Sequence, residues 1–171
     1  MTLNPLLDRW RLASLAACAG LLAIAHGFQT FGGLAPCELC LKQREVYWVT
    51  GALALAGMFL VRLPAGARFR QATCWILALG FLAEAALAAY HAGVEWKLWP
   101  GPASCTGAAV GGVTAADLAR LLNGGGGKPP ACDQAAWVFG GLSMAGWNAL
   151  AALALFGLSV AAALRERART A

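Results

Sequence analysis

The chain has 171 residues, of which 60% are hydrophobic and only 12% charged, and its mean hydropathy is +0.63. A soluble domain carries about 25% charged residues to keep its surface wetted, so a fully water-exposed globule is excluded and lipid is the natural solvent for much of the surface. The formal net charge of +5 does not point to nucleic acid, because the arginines flank apolar runs and form no separate basic region. The length favours one domain, residues 1–171.

A bilayer core of about 30 Å is crossed by about 20 apolar residues in a helix that rises about 1.5 Å per residue. In chain order, residues 12–31 carry no formal charge. Residues 46–61 are uncharged but short, which predicts a helix that begins a turn earlier, near Lys42 to Arg44. Residues 71–90 contain one acid, Glu84, and residues 143–164 lie in an uncharged run that begins at Gln134. Helices satisfy backbone polar groups in lipid. The expectation is therefore an all-α membrane protein, a four-transmembrane-helix bundle with spans at about 12–31, 42–61, 71–91 and 143–164. Arg9 and Arg11 before an apolar run, with Ala23-Ile24-Ala25 inside it, also resemble a signal peptide and its cleavage site. The run continues to Phe31 and three more follow, which favours an uncleaved first helix.

Basic residues orient the bundle. Arg9 and Arg11 precede the first span; Arg62, Arg68 and Arg70 separate the second and third; Arg165, Arg167 and Arg169 follow the fourth. These eight of the thirteen basic residues fall on one side. Lys42, Arg44, Lys97, Arg120 and Lys128 are spread along the other, near acids. The positive-inside rule then predicts cytoplasmic termini and two loops on the outer side of the membrane, at about 32–45 and 92–142. Trp10 and Trp75 would mark the inner interface and Trp96, Trp99 and Trp137 the outer one. In the second loop, Thr114 and Asp117 form a capping box for a short helix through Leu122, whose leucines would rest on the membrane. Glycines 124–127 then give a pliable tract, and Pro129-Pro130 stiffen the approach to Cys132.

Topology sorts the six cysteines. Cys18 and Cys74 lie within spans and read as small buried hydrophobes. Cys37, Cys40, Cys105 and Cys132 all fall outside, where disulfides persist. Cys37-Glu-Leu-Cys40 sits before a helix N-terminus, whose partial positive charge favours a thiolate. Arg44 follows Cys40 by one turn and acts in the same direction. Cys105 and Cys132 are bracketed by Gly and Pro, so a bond between them can open as the loop moves. Two pairs suggest a relay by thiol–disulfide exchange, one facing soluble partners and the other facing the membrane. Structural disulfides are the bland alternative, and a Cys-x-x-Cys beside an arginine suits that role poorly. Zinc is disfavoured by the 105–132 spacing and by an oxidising compartment, so no metal is expected.

These residues resemble the bacterial disulfide bond formation protein B family over nearly the whole chain. The resemblance rests on Cys37-Glu-Leu-Cys40-Leu-Lys-Gln-Arg44, Tyr90-His91-Ala-Gly-Val-Glu95, Pro100-Gly-Pro-Ala-Ser-Cys105, and Cys132 followed by Gly141-Leu-Ser-Met144-Ala-Gly-Trp-Asn148. It implies a quinone-dependent thiol oxidase whose partner is a periplasmic thioredoxin-like (DsbA-like) oxidase and whose cofactor is ubiquinone or menaquinone from the membrane pool. By this resemblance Cys105 forms the mixed disulfide with the partner, Cys132 passes the demand to Cys37, and Cys40 is the thiolate that meets the quinone. Gln29, Arg44, His91 and Met144 match positions near the family's quinone site. On its own chemistry, Met144 is as well explained by packing. His26 and Glu84 match nothing in the family pattern. An ionisable group inside a span is a functional candidate, and Glu84 reads equally as part of a proton path and as a hydrogen-bonded structural acid.

Two other functions compete. A vitamin K epoxide reductase-like oxidase also combines a helical bundle, two cysteine pairs and a quinone, but its Cys-x-x-Cys follows the loop pair, the reverse of the order here. A transport or structural membrane protein would call for polar groups or broken helices at midplane, where the sequence offers only Glu84. The orientation predicts that an impermeant thiol reagent, applied to intact spheroplasts, labels reduced Cys105 and Cys132 and misses Cys74. Labelling of Cys74 with silence at Cys105 would reverse the topology.

Overall fold

The computed structural model describes residues 6–7, 9–64, 66, 69–102, 105 and 131–170. The expected capping box at Thr114 and Asp117, its leucines, glycines 124–127, Pro129-Pro130, and Arg68, Arg120 and Lys128 lie outside those residues. Four long helices form the described fold: α1 (Trp10–Thr30), α2 (Glu38–Leu60), α3 (Phe69–Glu95) and α4 (Met144–Thr170). Of these, α1, α3 and α4 are long and apolar enough to cross a membrane. Helix α2 carries Glu38, Lys42, Arg44 and Glu45 in its first two turns, ahead of its apolar stretch.

Local chemistry sets the helix starts. Helix α2 begins at Glu38, earlier than the expected Lys42 to Arg44, because the Cys37 sulfur caps it by accepting the Cys40 backbone N–H at 3.2 Å. Charge count alone does not register a cap made by sulfur. Helix α4 is capped by the Ser143 hydroxyl, which accepts the Gly146 N–H at 3.1 Å. Just before it, β1 (Val138–Phe139) and β2 (Leu142–Ser143) pair as a short antiparallel hairpin, an addition to the all-helical expectation. Its two-residue turn is Gly140-Gly141, both with positive φ (59° and 82°), the backbone that a tight hairpin needs.

The helices pack as α1 on α2, α2 on α3, and α3 along much of α4. Tyr47, Leu77, Phe81, Cys18 and Cys74 lie in the shared core; both span cysteines are buried as expected, but the Cys74 sulfur also accepts from Arg11 Nη1 at 3.5 Å. Small residues let backbones approach. A Cβ at Gly80 would stand 2.6 Å from the Thr50 hydroxyl oxygen, so the α2–α3 crossing requires glycine there. Trp10 departs from its expected interfacial role. It is buried, and its indole N–H donates to the Ser159 hydroxyl on α4 at 2.9 Å. The first turn of α1 thus packs inward against α4. Trp75 and Trp96 remain exposed.

The helix ends that hold the flanking arginines are tied by buried charge. Arg11 Nη1 donates to the Arg70 carbonyl at 3.1 Å and to the Thr73 hydroxyl at 3.2 Å, and its Nη2 stands 3.7 Å from Glu166. Arg70 Nε donates to Glu166 at 2.9 Å. Removing one member of a buried ion group strands the others, at about 3–5 kcal/mol. Glu166→Leu should therefore unfold in detergent at a markedly lower temperature than the parent, and Glu166→Gln, which keeps a hydrogen-bonding oxygen, at an intermediate one.

Candidate functional site

The opposite end of the bundle gathers the remaining cysteines. Cys37 arrives there as the cap of α2. The C-terminus of α3 supplies the second wall: the Lys97 N–H donates to the Val94 carbonyl at 3.1 Å and the Leu98 N–H to the Gly93 carbonyl at 2.9 Å. This left-handed closure, with Lys97 at φ 61°, stops the helix. Lys97 Nζ then donates to the Asp133 carboxylate at 2.6 Å, which holds that exposed carboxyl below the usual carboxylate range. The ion pair pins the segment beside Cys132 onto the end of α3. Cys132 is disulfide-bonded to Cys105, with 5.3 Å between their Cα atoms, and its N–H donates to the Cys105 carbonyl at 2.8 Å.

Cys37, Cys105 and Cys132 are buried together with Leu39 and Val94. The Cys37 sulfur, a His91 ring nitrogen and the Cys132 sulfur all lie within 4.8 Å of one another. Three such atoms could in principle hold a metal, but Cys132 is committed to its disulfide. What the cluster does bring together is one sulfur from each cysteine pair.

Cys37 and Cys40 are both thiols. Their environments push them apart. A hydrogen bond from the Cys37 thiol lowers Cys40 to about 7, against burial, which raises it. The same bond, reinforced by burial, raises Cys37. Arg44 also lowers Cys40 but is the weakest of the influences, because its guanidinium turns toward α1. There it donates to Gln29 Oε1 at 2.6 Å and to the Ala25 carbonyl at 3.0 Å. The sulfur beside Cys40, more than the arginine one turn along, therefore makes it the more acidic thiol of the pair.

Below the cysteines lies a largely apolar cavity of about 480 Å³ between α1, α2 and α4, within the range of about 300–1,000 Å³ usual for small-molecule sites. Cys37, Cys40, Arg44, His91 and Met144 line it. Gln29 sits one step back, against Arg44. Cys105 lies behind Cys132 in the buried sulfur cluster and does not line the cavity. His26 is spent locally, its Nδ1 2.8 Å from the Leu22 carbonyl one turn earlier. The hairpin supplies an aromatic wall: Trp137 and Phe139 stack at 5.8 Å, and the Trp147 indole donates to the Phe139 carbonyl at 3.0 Å. A flat apolar ring fits this chamber, with Cys40 and Arg44 at its polar edge.

Among the polar lining residues, Gln43, Tyr47, Glu95 and Asn148 were given no role by the sequence, although Gln43, Glu95 and Asn148 fall within the motifs quoted above. Gln43 and Tyr47 had a legible signal. They fall on the stripe Leu39, Gln43, Tyr47, Thr50, Ala54 that α2 buries, so a polar Gln there must meet a partner. Asn148 is one turn from Met144, and Glu95 one turn from His91 (Oε1 to Nε2, 3.8 Å).

A multi-pass helical membrane protein whose two cysteine pairs converge at one end belongs with membrane proteins that form disulfides. The comparisons agree. A family model described as "Disulfide bond formation protein DsbB" matches residues 8–162, and the chain belongs to this family. It is 31% identical to disulfide bond formation protein B of Nitrosospira multiformis, over 87% of this chain and 86% of that protein. It is 34% identical to the protein of the same name from Polaromonas sp., over 86% and 85%. The Verminephrobacter eiseniae protein is 33% identical over 91% and 84%. No solved structure matches the chain.

The division of labour between the thiols is measurable. Alkylation of Cys40 in the reduced protein should titrate with a midpoint near 7, slow below it and fast above. Cys37→Ala removes the donor that stabilises the thiolate, so the midpoint should rise toward the ordinary thiol value of about 8.5. Arg44→Gln should move it the same way but less.

Proposed function

We propose that this protein reoxidises a periplasmic thioredoxin-like disulfide donor through its two cysteine pairs and delivers the electrons to a membrane quinone, ubiquinone or menaquinone. The observation that carries the reading is the meeting of Cys37 and Cys132, whose sulfurs lie within 4.8 Å, at the rim of an apolar cavity lined by Cys40. A pair of inert disulfide staples has no use for either feature.

In the exchange, a thiolate of the partner attacks Cys105 and forms a mixed disulfide, and Cys132 leaves as thiolate. Cys132 then attacks Cys37 of an oxidised Cys37–Cys40 pair, and Cys40 leaves as thiolate. The partner's second thiol resolves the mixed disulfide, releasing oxidised partner and Cys105 thiolate. Cys105 closes back onto Cys132 and frees Cys37. Two electrons and two protons have then passed from the partner to the Cys37–Cys40 pair. A bound quinone would supply the two-electron, two-proton acceptor that restores the first disulfide. Cys40 and Arg44 would face it, Met144 and the hairpin aromatics would flank its ring, and Gln29 would hold Arg44 in place.

The reading carries a topology. Four spans, cytoplasmic termini and periplasmic cysteines in a bacterial inner membrane are supported by the split between an end rich in arginine and an end rich in cysteine. Arg11 and Arg70 meet Glu166 at one, and Cys37, Cys40, Cys105 and Cys132 gather at the other. For α2, the charged first two turns would sit at the outer interface and its apolar remainder in lipid.

Cys105→Ser should abolish oxidation of the soluble partner while Cys37–Cys40 remains oxidisable by added quinone. Cys40→Ser should still trap a mixed disulfide with the partner but stop turnover. Near-normal turnover in either variant rules out the series relay.

A further inference from the structure

A string of hydrogen bonds runs from the apolar middle of the bundle to the cysteine cluster. It begins at Glu84, which is fully buried on α3. Asn148 on α4 donates its Nδ2–H to Glu84 Oε1 at 2.6 Å. The same amide nitrogen faces Gln43 Oε1 on α2 at 3.4 Å, and Tyr47 donates its hydroxyl to Asn148 Oδ1 at 2.6 Å. Gln43 Nε2 lies 3.3 Å from His91 Nδ1, and His91 Nε2 lies 3.6 Å from the Cys37 sulfur.

The string has one consistent direction when Glu84 is the acceptor. Asn148 then turns its nitrogen toward Glu84 Oε1 and its oxygen toward the Tyr47 hydroxyl, which donates. Its second N–H meets the Gln43 oxygen. Gln43 is thereby turned so that its nitrogen, a donor only, faces His91 Nδ1. An N–H opposite Nδ1 makes Nδ1 an acceptor, and a neutral imidazole then carries its proton on Nε2. The other side of the ring agrees independently: Nε2 faces the Cys37 sulfur and, at 3.8 Å, the Glu95 carboxylate, both able to accept.

We propose that Glu84 is a positioning residue which, through Asn148 and Gln43, fixes His91 in the Nε2–H tautomer and aims that N–H at the Cys37 sulfur. The donor stabilises negative charge on Cys37 whenever exchange leaves it as thiolate. The other tautomer would set a lone pair against the sulfur. Only the acceptor oxygen of Glu84 is needed, so an amide in its place preserves the string and an aliphatic group breaks it.

The inference concerns the Cys37 step of the relay and rests on that reading, but its test needs neither quinone nor partner. The protein has two histidines, so ring-nitrogen NMR of histidine-labelled protein, with His26→Asn to assign the signals, reads the His91 tautomer directly. In the parent, His91 should carry its proton on Nε2. Glu84→Gln should keep that tautomer and the parent rate of Cys37 alkylation in the reduced, quinone-free protein. Glu84→Leu should mix or reverse the tautomer and slow Cys37 alkylation about tenfold, as expected when a hydrogen bond to a charged group is lost. Three results overturn the proposal: a proton on Nδ1 in the parent, which decides the matter even if Glu84→Leu fails to fold; a Glu84→Leu protein with parent tautomer and rate; or a Glu84→Gln protein that behaves as Glu84→Leu does, which would assign the role to the acid's proton. Failure of the relay itself would appear separately, as partner oxidation that survives Cys105→Ser.

Discussion

Within an apolar bundle a polar side chain that its own helix does not satisfy must find its partner on another helix, because lipid will not supply one. That constraint organises this protein from end to end. At one end Arg11, Arg70 and Glu166 join α1, α3 and α4. In the middle Glu84, Asn148, Gln43 and Tyr47 join α2, α3 and α4. At the other end Arg44 ties α2 to α1 through Gln29 and the Ala25 carbonyl. Apolar side chains fill the layers between, yet apolar packing alone is nearly indifferent to how one helix is rotated against the next. The polar contacts, being directional and expensive to leave unmade, fix the rotation.

The same economy places the chemistry. A helix N-terminus needs an acceptor, and α2 takes the Cys37 sulfur for that purpose. A cap side chain is held against the first turn, so Cys37 is held beside Cys40, and the hydrogen bond between them lowers Cys40 and raises Cys37. The helix cap and one member of the buried sulfur cluster are the same residue. The left-handed end of α3 does the equivalent service for the second pair, since Lys97, thrown outward by the turn, reaches Asp133 and brings Cys132 down onto Cys37.

These features also weigh against competing functions. Disulfides that serve only as staples do best buried far from other sulfurs, whereas here Cys132 lies within exchange distance of Cys37. Transport would require the midplane polar groups to open onto a path across the bundle. Glu84 instead is sealed, with Asn148 between it and the cavity. The buried acid is better understood as part of the frame of the site than as a passage through it.

The sequence by itself determined the solvent, the helix count and the sorting of the cysteines into two within helices and four at one end. Charge scarcity, apolar runs of membrane length and a Cys-x-x-Cys at a helix start are local properties, readable without a partner. It also selected Cys40, Arg44, His91 and Met144, which do line one cavity. The tertiary structure alone decided what each of them faces. Arg44 was legible as a charge one turn from Cys40, but its turn toward Gln29 depends on where α1 packs. Trp10 had the composition of an interfacial anchor, yet Ser159, 149 residues away, draws it inside. Asn148 and Gln43 are ordinary polar residues in the sequence and become part of the site only because α2, α3 and α4 bring them to Glu84 and His91. Periodicity and composition report the face a residue occupies; the partner on the opposing helix is set by rotation and depth, which the chain acquires only on packing.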